Sequence, residues 1–236
     1  EGVEGVETII LPAGGIAGKG LKGRLTGALR LGLGTMKARS LLKKSRPAAV
    51  IGFGGYASIP ATLSAKWLGI PFAIHEQNAV LGRVNRLLAP RGNAIATSYP
   101  QVQRMKSSWS RKVHLVGNPV RPEVLALRDE PFPTFSEDSL LKVLVTGGSQ
   151  GASVLAQVVP DGLAMLPPAL RQRLQVTQQC RPEDVGAVRE RYRNHDIPAE
   201  LATYFENMAD RLADAHLFIG RAGASTIAEL TAVGRP

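Results

Sequence analysis

Three glycine-rich segments of the sequence have the composition of phosphate-binding loops. Each follows a short apolar run and precedes a stretch that predicts a helix. Glycines let backbone N–H groups approach an anion closely, and the N-terminus of the following helix adds about half a positive charge. These segments therefore predict sites for phosphate groups at residues 52–60, 147–152 and 220–229.

The first segment supports two interpretations. The run that ends at Phe53 leads into a loop over residues 54–56, which is typical of a site for a phosphate or diphosphate. Gly52, Gly54 and Ala57 also match the G-x-G-x-x-[GA] pattern, and Glu76 follows where a dinucleotide-binding fold places its ribose-binding acid. On this segment alone, an NAD(P)-binding oxidoreductase is an open alternative.

The second segment follows the run Leu141–Val145 and reads Gly147-Gly148-Ser149-Gln150-Gly151-Ala152. A strand, a glycine turn, a hydroxyl group and a helix start can hold a diphosphate. Neither the G-x-x-x-x-G-K-[ST] pattern nor the G-x-G-x-x-G pattern is present, so neither a Walker loop nor a standard dinucleotide loop is indicated. A tight turn between strand and helix is the alternative.

The third segment follows Leu217–Gly220 and opens a helix with small residues from Ala224 onward. Glu229 lies within the first two turns of that helix. A carboxylate does not favour phosphate but suits sugar hydroxyls, as acids do for ribose in dinucleotide folds. The alternative for Glu229 is a solvent-facing position on the helix.

Apolar runs that predict strands alternate with stretches that predict helices, which indicates an α/β fold with parallel sheets. The predicted strands are Ala48–Phe53, Pro71–His75, Ala94–Thr97, Val113–Val116, Leu141–Val145, a short strand near Ala202–Phe205, and Leu217–Gly220. The predicted helices are Ile59–Leu68, Leu81–Leu88, Ser153–Leu166, Pro182–Arg193, Ala209–Ala213 and one from Ala224.

Charge divides the chain into two parts. Residues 1–122 hold 18 Lys and Arg against 4 acids, or +14, whereas residues 123–236 hold 11 against 15, or −4. The change in charge and a proline-rich stretch predict a first domain over 1–122, a linker over 123–140 and a second domain over 141–236. A basic half attracts a polyanion: a nucleic acid, an anionic membrane surface or phosphorylated substrates.

The most basic stretch, Lys19–Arg46, holds nine Lys and Arg residues, with four leucines at a spacing of four residues. Basic residues beside an apolar stripe suit an anionic membrane surface. Glycines weaken the helix prediction, and a helix packed in the core is the alternative. Aromatic residues make up only 5% of the chain, and no recognition pattern is visible, so we expect no nucleic-acid partner.

Two further features limit the interpretation. Cys180 is the only cysteine, which excludes an internal disulfide and favours a small core residue over a nucleophile. No apolar run reaches the length of a membrane-spanning helix. The stretch Glu7–Leu11 predicts the approach to a strand, and the sequence stops just after a helix. We therefore expect a piece of a longer protein.

Five stretches, taken together and in order, resemble the MurG family of undecaprenyl-diphospho-muramoylpentapeptide β-N-acetylglucosaminyltransferases. They are Gly52–Pro60, His75–Asn78, Gly117–Arg121, Gly147–Ala152 and Ala222–Leu230. The resemblance covers nearly the whole chain. It implies a GT-B architecture with two Rossmann-like domains, both incomplete here, whose parallel sheets face a cleft. It also implies inverting transfer of GlcNAc from UDP-GlcNAc to the C4 hydroxyl of a lipid-linked muramyl-pentapeptide.

The resemblance also implies the site residues. The donor-binding residues would be Asn78, Arg121, Ser149, Phe205 and the helix residues Ala224, Ser225, Thr226, Ile227, Ala228 and Glu229, with Glu229 on the ribose and the Phe205 backbone on the uracil. The diphosphate loops would be Gly54, Gly55 and Tyr56 and, in the second domain, Gly147, Gly148 and Gly151.

Other implied features concern catalysis and location. The family's proposed base is a histidine in a loop expected upstream of Glu1, and a glutamine segment of the donor site is expected beyond Pro236. No catalytic base is therefore assigned within this chain. No metal or cofactor is expected, in agreement with the lack of an Asp-x-Asp pair. The implied location is the cytoplasmic face of the bacterial membrane, as a peripheral protein.

Overall fold

A computed structural model describes residues 5–12, 20–148 and 152–236. The chain forms two compact units, Glu1–Asn118 and Pro119–Pro236. Each unit contains a four-stranded sheet in which every pairing is parallel. The predicted α/β class is therefore confirmed.

The sheet of the first unit has the strand order β1-β2-β3-β4. Its alternating burial places Phe72, Ile74 and Ile95 in the core, which follows from the apolar pattern of the central strands. The strands are β1 (Val50–Gly52), β2 (Phe72–Glu76), β3 (Ala94–Thr97) and β4 (Val113–Leu115). The helices are α1 (Leu21–Ser45), α2 (Ser58–Trp67) and α3 (Arg83–Leu88), and a 3₁₀ helix covers Ser107–Lys112.

Helix α1 has 25 residues and packs one face on α2. Small residues at helical spacing, Gly27, Gly34 and Ala38, are buried on that face, and the Ser64 hydroxyl of α2 donates to the Thr35 carbonyl at 2.9 Å. The stretch 7–11, expected to approach a strand, has no secondary structure. It runs beside α1 instead, where a Cβ at Gly34 would collide with the Pro12 carbonyl.

The sheet of the second unit has the strand order β7-β6-β5-β8. Two apolar clusters form its core, one around Val143, Val145 and Val176 and the other around Leu144 and Leu212. The strands are β5 (Leu141–Thr146), β6 (Leu174–Gln179), β7 (Ala199–Ala202) and β8 (Leu217–Gly220). The helices are α4 (Pro122–Leu125), α5 (Ser153–Ala164), α6 (Pro168–Arg171), α7 (Val185–Asn194), α8 (Met208–Asp214) and α9 (Ala224–Val233).

Two strands of this sheet differ from the sequence-based prediction. β7 ends at Ala202, where the predicted strand began, and β6 was not predicted. β6 buries Leu174, Val176 and Gln178 in alternation, so one of its inward positions is polar. The Tyr192 hydroxyl donates to the Oε1 of the buried Gln178 at 2.6 Å, which satisfies the amide oxygen.

The stretch 123–140, predicted as a linker, belongs to the second compact unit. Val124 is fully buried in that unit's core. Arg235 donates from Nη2 to the Pro131 carbonyl at 3.1 Å, and the Arg173 guanidinium donates to the carbonyls of Ser136 and Ser139. Two arginines with several donors each thus hold a segment that has little regular structure of its own.

His216 holds the same segment from the start of β8. Its Nδ1 accepts the Lys142 N–H at 3.0 Å, so its Nε2 carries the proton and donates to the Thr134 carbonyl at 3.3 Å. The rings of Phe132 and Phe135 lie 6.0 and 5.3 Å from the imidazole. The imidazole therefore connects the segment to the starts of β5 and β8.

We expect His216→Ala to lower the unfolding free energy by about 2 kcal/mol, because it removes two buried hydrogen bonds and two ring contacts. The midpoint of urea unfolding measures this. The matched control is His195→Ala, which removes an exposed contact to Asp161 and should cost under about 0.5 kcal/mol. Equal midpoints for the two variants would show that His216 does not anchor the segment.

Within the described residues, no helix combines the length and the apolar character needed to cross a membrane.

Candidate functional site

The loop that follows β1 has the backbone conformation of an anion-binding turn. Gly54 and Gly55 have φ angles of +80° and +67°, which side chains other than glycine rarely adopt. The Ser58 hydroxyl donates to the Gly54 carbonyl at 2.5 Å, and the Ser58 N–H donates to the Gly55 carbonyl. These bonds turn the loop directly into α2, so its glycines lie beside the positive end of that helix.

Glu76, at the end of β2, is 2% exposed and fully engaged by the protein. Its Oε1 accepts the backbone N–H and the side-chain amide of Asn78, both at 3.1 Å. Its Oε2 accepts the Gly82 N–H at 2.8 Å and the Asn85 amide at 2.9 Å. A ribose-binding acid would have to present its oxygens to a ligand, so Glu76 does not match the dinucleotide pattern that its spacing suggested.

The first unit has a pocket of about 340 Å³ between the β1 loop and the start of α3. Its lining brings together four of the predicted residues, Gly54, Gly55, Tyr56 and Asn78, and adds Arg83 and Asn85, which the sequence did not indicate. Four uncharged donors of the chain hydrogen-bond the Glu76 carboxylate, and the glycine amides and Arg83 are the groups of this lining that could bind an anion.

His75 is the residue before the end of β2, and it has a structural role. Its Nε2 lies 3.0 Å from the Gly117 carbonyl, and the ring is 4% exposed. Ser98 donates to the Asn118 side chain at 2.7 Å, and that side chain donates to the Gln77 carbonyl. These bonds tie Gly117 and Asn118 to the ends of β2 and β3. They explain why His75–Asn78 and Gly117–Arg121 both stand out in the sequence.

The second unit has a pocket of about 290 Å³ at the carboxyl ends of its strands. In parallel α/β sheets this is where ligands bind. The lining includes predicted residues from four separate segments, Arg121, Gly148, Phe205, Thr226 and Glu229. It also includes residues that the sequence analysis missed, namely Thr146, Gln179, Tyr204, Met208, Leu212 and Phe218.

An ion pair spans the polar side of this pocket. Arg121 donates from Nε to Glu229 Oε1 at 2.7 Å and from Nη2 to Oε2 at 3.1 Å. The side chains are 50% and 16% exposed, so the pair is open to solvent on the arginine side. The hydrogen bond to Glu229 raises the pKa of Arg121 above its ordinary value. The pocket thus offers a fixed cation and a carboxylate side by side.

Helix α9 presents its first turns to the same pocket. Gly223 precedes it in an extended conformation and provides no side-chain cap, and Thr226 and Glu229 line the pocket three residues apart. Gly148, with φ of +77°, approaches from the end of β5. A helix N-terminus, glycine amides and an arginine around one cavity favour a phosphate group.

The side chain of Phe205 is buried, although the residue belongs to the pocket lining. It is 5% exposed, and the Arg211 guanidinium lies 4.2 Å from its ring centre. A contact between the Phe205 backbone and a base stays a prediction. The neighbouring Tyr204 is exposed and lines the pocket. The sequence could have indicated Tyr204, because it is an aromatic residue next to a predicted ligand contact.

The other predicted residues are distributed as follows. Gly147 is buried next to Gly148 at the end of β5. Ser149 and Gly151 lie outside the described residues. Four residues of α9 belong to the helix without lining the pocket: Ala224, Ser225, Ile227 and Ala228.

Two further groups have no part in these pockets. Cys180 is 3% exposed in an apolar cluster, and burial raises its pKa to about 11. It is a core residue. Across residues 5–12, 20–148 and 152–236, no three His, Cys, Asp or Glu side chains cluster as a metal site would require.

Two Rossmann-like units, each with a pocket at the carboxyl ends of a parallel sheet, define an α/β protein of the GT-B type. The model of the glycosyltransferase family 28 N-terminal domain matches residues 2–97, and that of the family 28 C-terminal domain matches residues 142–236. The chain belongs to the MurG family within glycosyltransferase family 28.

Individual relatives agree with this assignment. A protein of Erythrobacter litoralis is 69% identical over 96% of this chain and 57% of its own length. One of Novosphingobium aromaticivorans is 66% identical over 96% of this chain and 58% of its own length. Both are named UDP-N-acetylglucosamine–N-acetylmuramyl-(pentapeptide) pyrophosphoryl-undecaprenol N-acetylglucosamine transferase. The chain thus spans less than two thirds of the length of each of these relatives.

Solved structures show the same architecture. The crystal structure of Acinetobacter baumannii MurG matches with a TM-score of 0.62 and 29% identity over 86% of this chain and 55% of that one. A UDP-GlcNAc 2-epimerase from Neisseria meningitidis, bound to UDP-GlcNAc, matches with a TM-score of 0.58 over 92% of this chain and 64% of that one. At 14% identity, the epimerase shows the shared fold alone.

Proposed function

We propose that the full-length protein is an inverting glycosyltransferase. It transfers GlcNAc from UDP-GlcNAc to the C4 hydroxyl of undecaprenyl-diphospho-MurNAc-pentapeptide, which is the step from lipid I to lipid II in peptidoglycan synthesis. The observation that carries the proposal is the second-unit pocket, where Arg121, Glu229, Gly148 and the start of α9 surround one cavity. The names of the relatives supply the two substrates.

The pocket lining offers candidate groups for the diphosphate, the ribose and the uracil of the donor. Glycine amides after β5 and the α9 N-terminus would hold the diphosphate together with Arg121. Glu229 would accept the ribose hydroxyls, and the backbone at Phe205 would meet the uracil. Asn78, on the first unit, is the remaining proposed donor contact.

This reaction requires the protein to stabilise negative charge on the UDP leaving group. As the acceptor hydroxyl attacks the anomeric carbon, negative charge grows on the diphosphate. Fixed amides, a helix dipole and a guanidinium can stabilise that charge without reorganising. We do not propose His75 as the base that deprotonates the hydroxyl, because its Nε2 contacts the Gly117 carbonyl and its Nδ1 is buried.

The first-unit pocket would take the diphosphate of the acceptor. Gly54 and Gly55 expose backbone amides there, Tyr56 adds a hydroxyl group, and Arg83 adds a cation. The competing NAD(P) interpretation loses its support, because the acid that it requires, Glu76, is enclosed by four donors of its own chain.

The direct test is transfer of labelled GlcNAc by the purified full-length protein. We expect product only with UDP-GlcNAc and the lipid-linked muramyl-pentapeptide together, and release of UDP in equal amount. Titration with NADH serves as the second arm. Saturable NADH binding with no transfer would overturn the proposal in favour of an oxidoreductase.

We further propose that α1 rests on an anionic membrane, at the cytoplasmic face. Leu25, Leu29 and Leu33 are 67%, 61% and 61% exposed, and Met36 and Trp67 are 72% and 61% exposed. These three leucines therefore do not pack in the core of this chain. Seven Lys and Arg residues and no acid lie in Leu21–Ser45, which suits anionic headgroups beside an apolar face.

Vesicle sedimentation tests the membrane proposal. We expect the double variant Leu25→Gln and Leu29→Gln to reduce binding to vesicles containing anionic lipid by at least about thirtyfold, since each buried leucine contributes about 1 kcal/mol or more. The matched control is Leu87→Gln, which alters an exposed leucine on α3. Equal binding by all three proteins, or equal binding to neutral vesicles, would count against α1 as the membrane contact.

A further inference from the structure

The Glu76 carboxylate connects two loops of the first unit. One oxygen holds Asn78 through both its backbone N–H and its side-chain amide. The other holds Gly82, which precedes α3, and Asn85 within α3. All four partners donate, so the group acts as an ionised acceptor in the interior of the unit.

Asn85 passes this constraint on to the glycine loop. Its Nδ2 donates to Glu76 Oε2 at 2.9 Å and to the His75 carbonyl at 3.1 Å. These two acceptors fix the amide, because the flipped orientation would place Oδ1 against two oxygens. A Cβ on Gly54 would lie 3.3 Å from the same Nδ2. The Asn85 amide therefore lies close to Gly54 and limits the positions that the loop can take.

We propose that Glu76 is a positioning residue that sets Asn78 and the Gly54–Tyr56 loop at the same time. The inference rests on the proposed function, in which Asn78 meets the donor and the loop meets the acceptor diphosphate. Glu76 is not a base in this role, since its oxygens are occupied by donors. It links Asn78 and the loop through one buried carboxylate whose oxygens accept hydrogen bonds from its own chain.

The side-chain chemistry makes the role specific to glutamate. Glutamine has the same shape but offers one acceptor and one donor, so one pair of partners meets an N–H₂ group instead of an oxygen. Aspartate is one methylene shorter and cannot reach both loops. Asn85→Ala, in contrast, leaves three of the four bonds to Glu76 in place and removes the contact with Gly54 together with the bond to the His75 carbonyl.

The test compares Glu76→Gln and Asn85→Ala in the full-length protein. We expect Glu76→Gln to raise KM for UDP-GlcNAc and for the acceptor, each by about tenfold, because charge-assisted hydrogen bonds are lost on both sides. We expect Asn85→Ala to raise only the acceptor KM, by a similar factor. In the double variant the acceptor KM should rise little beyond that of Glu76→Gln, since both changes act through one contact.

Hydrogen exchange gives an independent readout that does not need turnover. Amides of 78–82 should exchange faster in Glu76→Gln but not in Asn85→Ala, whereas amides of 54–56 should exchange faster in both. Glu190→Gln, an exposed change on α7, is the control for loss of charge. If Glu76→Gln does not fold, an unchanged acceptor KM in Asn85→Ala still overturns the inference.

The outcomes separate this inference from the proposed function. A wild-type protein that transfers no GlcNAc refutes the proposed function. The exchange pattern then tests separately whether Glu76 positions the two loops. Active Glu76→Gln with both KM values unchanged overturns the inference and leaves the function intact. A lower kcat with unchanged KM values would mean that Glu76 only stabilises the fold.

Discussion

Glu229→Ala is expected to weaken UDP-GlcNAc binding to the full-length protein by about 100-fold. The carboxylate would accept two ribose hydroxyls, and hydrogen bonds to charged groups contribute about 1.5 kcal/mol or more each. The change also removes the partner that fixes Arg121 at 2.7 Å, so the guanidinium would have to be ordered when the diphosphate binds. Isothermal titration calorimetry measures the affinity.

Two variants make this experiment specific. Glu229→Gln keeps an acceptor for a hydroxyl and should weaken binding by only about tenfold. Glu190→Ala removes an exposed acid from α7, outside the pocket, and should leave the affinity unchanged. An affinity within about twofold of wild type for Glu229→Ala would refute the ribose assignment and would leave the ion pair as a purely structural contact.

Gly54→Ala should raise the acceptor KM by at least about tenfold. The φ angle of +80° costs an alanine about 1 to 2 kcal/mol, and its Cβ would lie 3.3 Å from the fixed Asn85 amide, so the loop must shift. Gly55→Ala is the matched control, because its φ is +67° but no atom lies within 4 Å of the added Cβ. Steady-state kinetics with each substrate varied in turn measures the difference.

The two glycine variants carry the same kind of backbone strain, so the comparison isolates the crowding against Asn85. We expect a small effect of Gly55→Ala on the acceptor KM and little effect of either change on the donor KM. Equal effects of both variants would mean that loop strain alone matters. A rise in the donor KM alone would place the loop in the other substrate's site.

Much of the fold could be predicted because apolar runs define buried parallel strands. Ala94–Thr97 and Leu217–Gly220 form the predicted strands with the predicted limits. β6 escaped prediction because its buried Gln178 depends on Tyr192, a partner fourteen residues away that local pattern does not reveal. The stretch 123–140 has the composition of a linker, and contacts from distant residues such as Arg173, His216 and Arg235 attach it to the second unit.

The candidate sites were predictable as segments but not as contacts. Glycine clusters and Glu229 fall where pockets form, because helix starts and strand ends are visible in the sequence. The Arg121–Glu229 pair joins residues 108 positions apart, and no local spacing could show it. Glu76 shows the opposite error, since a matching spacing suggested a ligand contact whereas the chain itself takes up all of its oxygens.

The composition of α1 has a consequence for any attempt to use it elsewhere. Leu21–Ser45 includes four glycines and no acidic residue, so it lacks both strong helix propensity and ion pairs along its length. A peptide copied from it would be mostly unfolded in water, and the order seen here depends on packing against α2. The segment is therefore not a portable anchor: grafted onto another protein without α2, it would lose the geometry that aligns its leucines.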